Sequence, residues 1–379
     1  MNIVINASSI FKGGAEQVAH SFINECISYP EHNFYVLLRD NIKSQLEIDR
    51  FPNNFTFYDV KERPGKSVYH IYSAIRSFDK IAEKINPDVI ISTGGHGFWK
   101  PDIPTIGGFN IPHYIYPESP YFDNISVKKK LYWDLKKVFD LYFYRRLDAI
   151  VVQTDDVKER LASLFNGIPI YSISNTINAA FNKKEFGESL LDERGNNEFR
   201  LLTVSADYQH KNLSIISDVA KQLQSRGLSC VKFVLTLPEG AFEFLQDTGI
   251  GDQVINIGPV SINECPVLYR DCDAMFLPTL LECFSASYAE AMKMEKPILT
   301  SDLGFAHTVC KKAALYFNPL DSKDIADNIE RLIRNSDLYQ VLASEGRSEF
   351  TKLKTPAERA NSFISIAESL VEKSNIQTV

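Results

Sequence analysis

The feature that most constrains this chain is a rhythm: apolar runs of four to six residues, each followed by a stretch with helical spacing, recur along most of its length. It begins with "NIVINASSI", a glycine loop "FKGGAEQ" and the helical "VAHSFINECIS", and continues through "HNFYVLLRD", "PDVIISTGG" and "DAIVVQT". Short strands that are apolar throughout bury both faces, which points to parallel sheets with helices on both sides. The rhythm breaks in the polar stretch "NKKEFGESLLDERGNNEF" and restarts at "RLLTVSA", running on through "VKFVLTL", "QVINIG", "DAMFLP", "KPILTSD" and "ALYFN". A length of 379 residues exceeds what one ordinary core organises. The expected class is therefore α/β: two Rossmann-like doubly wound domains facing each other across a cleft, residues 1–185 and 200–360, joined by a linker over 186–199. In open α/β sheets ligands bind beyond the carboxyl ends of the strands, so functional side chains are sought in the loops that follow strands.

Composition excludes several classes. Lys and Arg number 41 against 48 Asp and Glu, a net charge of −7 that repels nucleic acid. The six cysteines, Cys26, Cys230, Cys265, Cys272, Cys283 and Cys310, form no CxxC pair, so neither a zinc site nor a disulfide framework is expected and they read as buried thiols. "MNIVINASSIF" lacks a basic leader region and no run approaches about 18 apolar residues, so the expected location is the cytoplasm. One segment departs from the average. "SVKKKLYWDLKKVFDLYFYRRL", residues 126–147, has seven basic residues against Asp134 and Asp140, a local charge of +5. Two readings stand for it: an amphipathic core helix with solvated lysines, or a membrane-surface contact through Lys128, Lys129, Lys130, Trp133, Lys136 and Lys137.

Candidate chemistry concentrates in "LECFSASYAEAMKMEKPILTSD", residues 281–302, where Glu282 and Glu290 are separated by seven residues. Between them Ser285, Ala286 and Ser287 open a helix, whose N-terminal N–H groups and dipole suit a phosphate. Carboxylates beside such a site accept hydrogen bonds from sugar hydroxyls; the plain alternative is a solvated pair on a helix surface. Lys211 in "SADYQHKNLSII" can neutralise a diphosphate or stand as an ordinary surface lysine. Gly13 and Gly14 in "FKGGAE" permit close backbone approach, although a Gly-Gly turn is common. His113 and Asn110 in "TIGGFNIPHYIYPESP" compete with His96 in "STGGHGFW" for contact with an acceptor or donor sugar, against a structural or surface role for each histidine. Asp271 and Asp273 in "DCD" precede a strand at its entry end, away from where ligands bind, and no other acidic or histidine cluster has ligand spacing; no metal is expected.

The run "NIGPVSINECPVLYRDCDAMFLPTLLECFSASYAEAMKMEKPILTSDLG", residues 256–304, resembles the donor-binding region of glycosyltransferase family 4. The likeness rests on Gly258, "DAMFLPT", the two glutamates at the family's separation, "EAM" and "KPIL". The resemblance implies the GT-B arrangement, an acceptor-binding N-terminal domain, a donor-binding C-terminal domain and a last helix, 361–379, packed back on the first. It implies that Glu290 holds the nucleotide ribose, Glu282 the donor sugar, and Lys211 the diphosphate, with His113 beside the reacting sugar. Phe284 and Ser285 stand where many relatives have Phe-Gly, beside Ala286, and Ala206 stands where a typical member has arginine. Gly13 and Gly14 fall in the family's N-terminal glycine loop. The implied activity is a retaining transfer of a hexose or related sugar from a nucleotide-diphosphate sugar, a UDP- or GDP-sugar first, with no other cofactor, to a glycan acceptor. That acceptor would be lipid-linked, in bacterial O-antigen or capsule synthesis at the inner face of the cytoplasmic membrane. The alternatives are a noncatalytic sugar-nucleotide-binding partner and a GT-B-like phosphorylase or epimerase.

Overall fold

Ile3, Val4, Ile5, Val89, Ile90 and Ile91 are all buried, and their β-branched side chains suit strands covered on both faces. In the computed structural model, which describes residues 1–10, 14–61, 63–241, 245 and 249–377, these residues form the centre of the first of two parallel sheets. Its strands are β1 (Asn2–Asn6), β2 (Asn33–Leu38), β3 (Phe55–Asp59), β4 (Val89–Ser92), β5 (Thr105–Gly108), β6 (Ala149–Val152) and β7 (Ile170–Ser172), in the order β3-β2-β1-β4-β5-β6-β7. The second sheet holds β8 (Phe199–Thr203), β9 (Val231–Leu235), β10 (Val254–Asn256), β11 (Ala274–Leu277), β12 (Ile298–Ser301) and β13 (Ala314–Phe317), in the order β10-β9-β8-β11-β12-β13. In each sheet the chain first works outward to one edge and then returns to the other side of its starting strand. The reversals fall between β1 and β4 and between β8 and β11, and such switch points are where open α/β sheets bind ligands.

The chain divides into two units: Met1–Ile115, Ser126–Thr176 and the chain from Lys354 onward form one, and Tyr116–Ile125 with Ile177–Leu353 the other. The division differs from the borders read in the sequence, for reasons of packing. Phe181 leaves the first unit early because its ring meets Tyr269, with centroids 5.8 Å apart. Residues 116–125 join the second unit because Ser119 Oγ donates to Leu280 O at 2.6 Å and Tyr116 packs edge-on against Phe305 at 5.9 Å.

The last helix, Pro356–Gln377, starts before the expected 361. Ala360, Phe363, Ile364 and Ala367 belong to the same buried cluster as Phe22 and Ile23 of the helix Gly14–Glu25, with the Phe22 and Phe363 rings 5.1 Å apart. The helix is thus part of the first unit's core. Phe363→Ala is expected to lower the unfolding free energy of that unit by about 3–5 kcal/mol, the usual cost of removing a core phenylalanine; urea denaturation measures it, and a loss below about 1 kcal/mol would show the helix to be dispensable.

Candidate active site

In the second unit, the loops following β8 and β11 flank the switch point. Leu280 N donates to the backbone carbonyl of His210 at 2.7 Å, and the Thr279 hydroxyl donates to the same oxygen at 3.1 Å. These bonds fix the two loops side by side, and their neighbours Lys211 and Glu282 form an ion pair. Thr279 Oγ1 also lies 3.3 Å from Glu282 Oε1. Asn212 ends the turn Gln209–Lys211 in the left-handed conformation at φ 55°, which asparagine tolerates, and its amide donates to Pro319 O at 2.8 Å. Both charged side chains are 13% exposed, so the pair is shielded from water but still reachable.

Glu290 lies on the buried side of the helix Ala286–Lys293, 7% exposed. The Tyr269 hydroxyl is 3.1 Å from Glu290 Oε2 and 3.2 Å from Ser287 O. Burial pushes the Glu290 carboxyl up to about 7, against the lowering influence of Tyr269. A solvated surface pair therefore describes neither glutamate. A buried carboxylate short of donors is suited to a vicinal diol, which brings two O–H groups. Ser285 enters the helix in extended conformation and makes no side-chain cap, with Phe284 and Ala286 half-buried beside it. The positive end of the helix thus lies in the segment between the two carboxylates.

The first unit rearranges the other candidates. His96 is buried; its Nδ1 accepts from Phe98 N at 3.2 Å and its Nε2 stands 3.5 Å from Asp140 Oδ1. Burial pushes the His96 imidazole down, with Asp140 partly offsetting it. Asp140 Oδ2 accepts from Tyr114 at 2.7 Å and pairs with Lys136. Burial raises the Asp140 carboxyl, but the His96 ring and the Lys136 ammonium outweigh it and hold the group below the usual range. His113 lies flat on Trp133, with ring centroids 3.6 Å apart, and Asn110 is exposed. Gly14 opens its helix with nothing within 4 Å of an added Cβ, leaving the backbone open to close approach; Gly13 lies outside the described residues. Among the first-unit candidates, His96 joins this polar cluster. Asp140 and Tyr114 were missed, and the signal for Asp140 was an acid placed four residues after Lys136 in an aromatic helix.

That helix, Val127–Tyr144, also presents its charges differently from the expectation. Lys136 turns to Asp140, Lys137 Nζ donates to Tyr114 O at 2.8 Å, and Trp133 covers His113. Lys128 and Lys130 are exposed and Lys129 is half-buried. What faces outward beside them is apolar: Val127, Leu131, Leu135 and Val138 are 83, 57, 65 and 70% exposed. At the far end of the second unit, Asp273 is taken up by Arg194 at 2.8 Å and by Arg200 N at 2.7 Å, and Asp271 by Arg270 at 2.7 Å. The "DCD" carboxylates are structural ties at the entry end of β11.

The two halves of the chain match two family models: residues 12–181 the description "Glycosyltransferase Family 4" and residues 192–349 "Glycosyl transferases group 1". An O-antigen chain mannosyltransferase of Salmonella typhimurium, RfbU, is 27% identical over 288 residues, 74% of this chain and 76% of the relative. Among solved structures, a glycosyltransferase from Rickettsia africae superposes with a TM-score of 0.72 at 14% identity, covering 98% of each chain. HepE of Anabaena, in complex with UDP and glucose, gives 0.72 at 15% identity over 97% of this chain and 100% of its own. With both sheets in doubly wound order, both halves matched and the paired glutamates at a switch point, the chain is a glycosyltransferase and belongs to family 4, of GT-B type.

Proposed function

We propose that this transferase moves a hexose from a nucleoside-diphosphate sugar to a glycan hydroxyl with retention of anomeric configuration. The observation that carries the reading is the Lys211–Glu282 pair and the buried Glu290 on either side of the helix start at Ser285. Glu290 accepts the ribose hydroxyls. The diphosphate, with more negative charge than one carboxylate, draws Lys211 and the helix N-terminus, and Glu282, released from its cation, accepts donor-sugar hydroxyls. Fixed charges aimed at the leaving diphosphate stabilise the transition state, and gripping the sugar orients its anomeric carbon. The bond from that carbon to the diphosphate oxygen breaks as the bond to the acceptor oxygen forms on the same face. The acceptor's proton passes to the departing diphosphate.

The UDP-bound neighbour and the mannosyltransferase relative make UDP- and GDP-sugars the donors to test first, and the relative supports a bacterial surface glycan as product. No helix among the described residues is long and apolar enough to cross a membrane. The outward apolar residues of Val127–Tyr144, flanked by Lys128, Lys129 and Lys130, support peripheral docking on an anionic bilayer, where a lipid-linked acceptor is held.

Thermal-shift titration with UDP, GDP, dTDP, CDP and their sugars is expected to show stabilisation by one nucleotide, reduced at least about tenfold in affinity in Lys211→Ala and Glu290→Ala. If no nucleotide stabilises the protein at millimolar concentration, the transferase reading fails. Glu290 has a second readout. A carboxyl raised from 4.5 to about 7 favours folding below about pH 4.5, where both states hold the proton. That advantage is lost as pH rises through about 7, so Glu290→Gln is expected to stabilise the empty protein at pH 8 by up to about 3 kcal/mol while abolishing nucleotide binding. Equal urea midpoints at pH 8 would exclude the buried carboxyl. For the membrane face, replacing Lys128, Lys129 and Lys130 by Gln is expected to weaken co-sedimentation with phosphatidylglycerol vesicles by about 3 kcal/mol, roughly a hundredfold; binding unchanged by this triple substitution and by Leu131→Glu with Leu135→Glu would reject the docking face.

A further inference from the structure

Ser119 reaches the loop that carries Glu282 from 161 positions before its partner Leu280, and none of the roles above uses it. It belongs to the segment Tyr116–Ile125, which is part of the second unit although the chain on either side of it is part of the first. Two buried contacts hold the segment there. The Ser119 hydroxyl donates to Leu280 O at 2.6 Å, both residues being buried. The Tyr116 ring stands edge-on to Phe305 at 5.9 Å, and Phe305 lies on the helix Gly304–Cys310 that follows β12. The segment thus meets the chain leaving two neighbouring strands, β11 and β12, at the carboxyl ends where open α/β sheets bind ligands.

The Ser119 hydroxyl does more than its own segment requires. It caps the turn Pro120–Asn124, where its oxygen accepts from Tyr121 N at 3.2 Å. Capping uses that oxygen only as an acceptor, and an aspartate, with no proton to give, caps equally well. The hydroxyl proton is left for one further bond, and that bond goes to Leu280 O.

Leu280 is therefore held at both of its backbone groups, the N–H by His210 O at 2.7 Å and the carbonyl by Ser119. Leu281 is buried beside it, and Glu282 follows. A chain fixed at Leu280 and anchored at Leu281 has little freedom left in the direction from which the Glu282 side chain starts. Its Oε1 is then met by Thr279 Oγ1 at 3.3 Å and by Lys211. Glu290 is placed by a separate set of contacts, its helix Ala286–Lys293 and the Tyr269 hydroxyl.

We propose that Ser119 is a positioning residue for the donor sugar: through Leu280 it fixes the aim of Glu282, while the nucleotide is gripped independently at Glu290. The inference rests on the transferase reading and adds to it a determinant of sugar recognition supplied by the first half of the sequence. A carboxylate that grips hydroxyls has to be held to within about 0.5 Å. Loss of the Ser119 tie is accordingly felt by the sugar and not by the nucleotide.

The test is calorimetric titration of the wild type, Ser119→Ala and Ser119→Thr with UDP, GDP, UDP-glucose, UDP-galactose and GDP-mannose. In Ser119→Ala the Kd of the nucleoside diphosphate is expected to stay within about twofold of the wild type, while that of its sugar conjugate rises about tenfold. Ser119→Thr, which keeps the proton, is expected to match the wild type for both. A loss shared equally by diphosphate and conjugate overturns the inference, because it marks a merely structural role; so does an unchanged conjugate affinity in Ser119→Ala. Hydrogen exchange on the free proteins supplies a readout that needs no ligand: the amides of residues 280–283 are expected to exchange at least about fivefold faster in Ser119→Ala, with those of β8 unchanged. Equal exchange over 280–283 overturns the inference whatever binds. A wild type that binds none of the five compounds counts against the transferase reading, and the exchange rates then still decide whether Ser119 holds the loop.

Discussion

The paired loops that hold Lys211 and Glu282 depend on one backbone carbonyl. The oxygen of His210 accepts both the Leu280 N–H and the Thr279 hydroxyl, filling its two lone pairs with donors from a loop some 70 residues away in sequence. The sheet makes the meeting unavoidable. β8 and β11 are hydrogen-bonded neighbours, with Leu201 opposite Ala274 and Leu202 opposite Met275, so the segments leaving them start side by side. Without the tie, Lys211 would be a flexible ammonium on a four-carbon stem, carrying about 2 kcal/mol of rotamer entropy to be lost on binding. With it, the ammonium is already placed against Glu282, as the proposed role toward a diphosphate requires.

The two glutamates show how environment assigns different work to one residue type. Glu282 faces a cation and a hydroxyl, so its charge is compensated when the site is empty. Glu290 is buried with the Tyr269 hydroxyl against it, and its raised pKa records that one hydrogen bond does not replace water. A group in that condition gains more from two new O–H donors than a solvated carboxylate would, because it has no hydration left to give up. On the proposed reading, burial that destabilises the empty protein would be returned as affinity for a diol.

Both sheets were legible in the sequence because strands buried on two faces leave unbroken apolar runs, and no tertiary detail is needed to see them. The candidate site's segment was legible because Glu282, Ser285 and Glu290 lie within one loop and helix. What could not be read depends on contacts between distant residues. The transfer of residues 116–125 to the second unit rests on Ser119 meeting Leu280, 161 positions away. His113 looked like a polar ligand in its own segment, yet the face of Trp133, twenty residues on, covers it. Lys136 and Lys137 counted as surface charge because no local pattern reveals that a carboxylate and the Tyr114 carbonyl take them inward. Asp140 was hidden for the same reason, reading as a balancing charge in a basic stretch.

The helix Val127–Tyr144 carries these misreadings to a physical conclusion. Its inner side uses Leu141 and Tyr144 for the core and Asp140 with Lys136 for polar contacts. Its outer side, at Val127, Leu131, Leu135 and Val138, repeats at helical spacing and leaves large apolar groups in contact with solvent. Scattered exposed apolar residues need no explanation, but a continuous row along one helix carries a hydration cost that no contact among the described residues recovers. Drawing two lysines and a tryptophan inward while leaving valine and leucine outside reverses the ordinary preference of a water-facing helix. The row is thus an observation that supports the peripheral docking proposed above, and three successive lysines at the helix start add to that support.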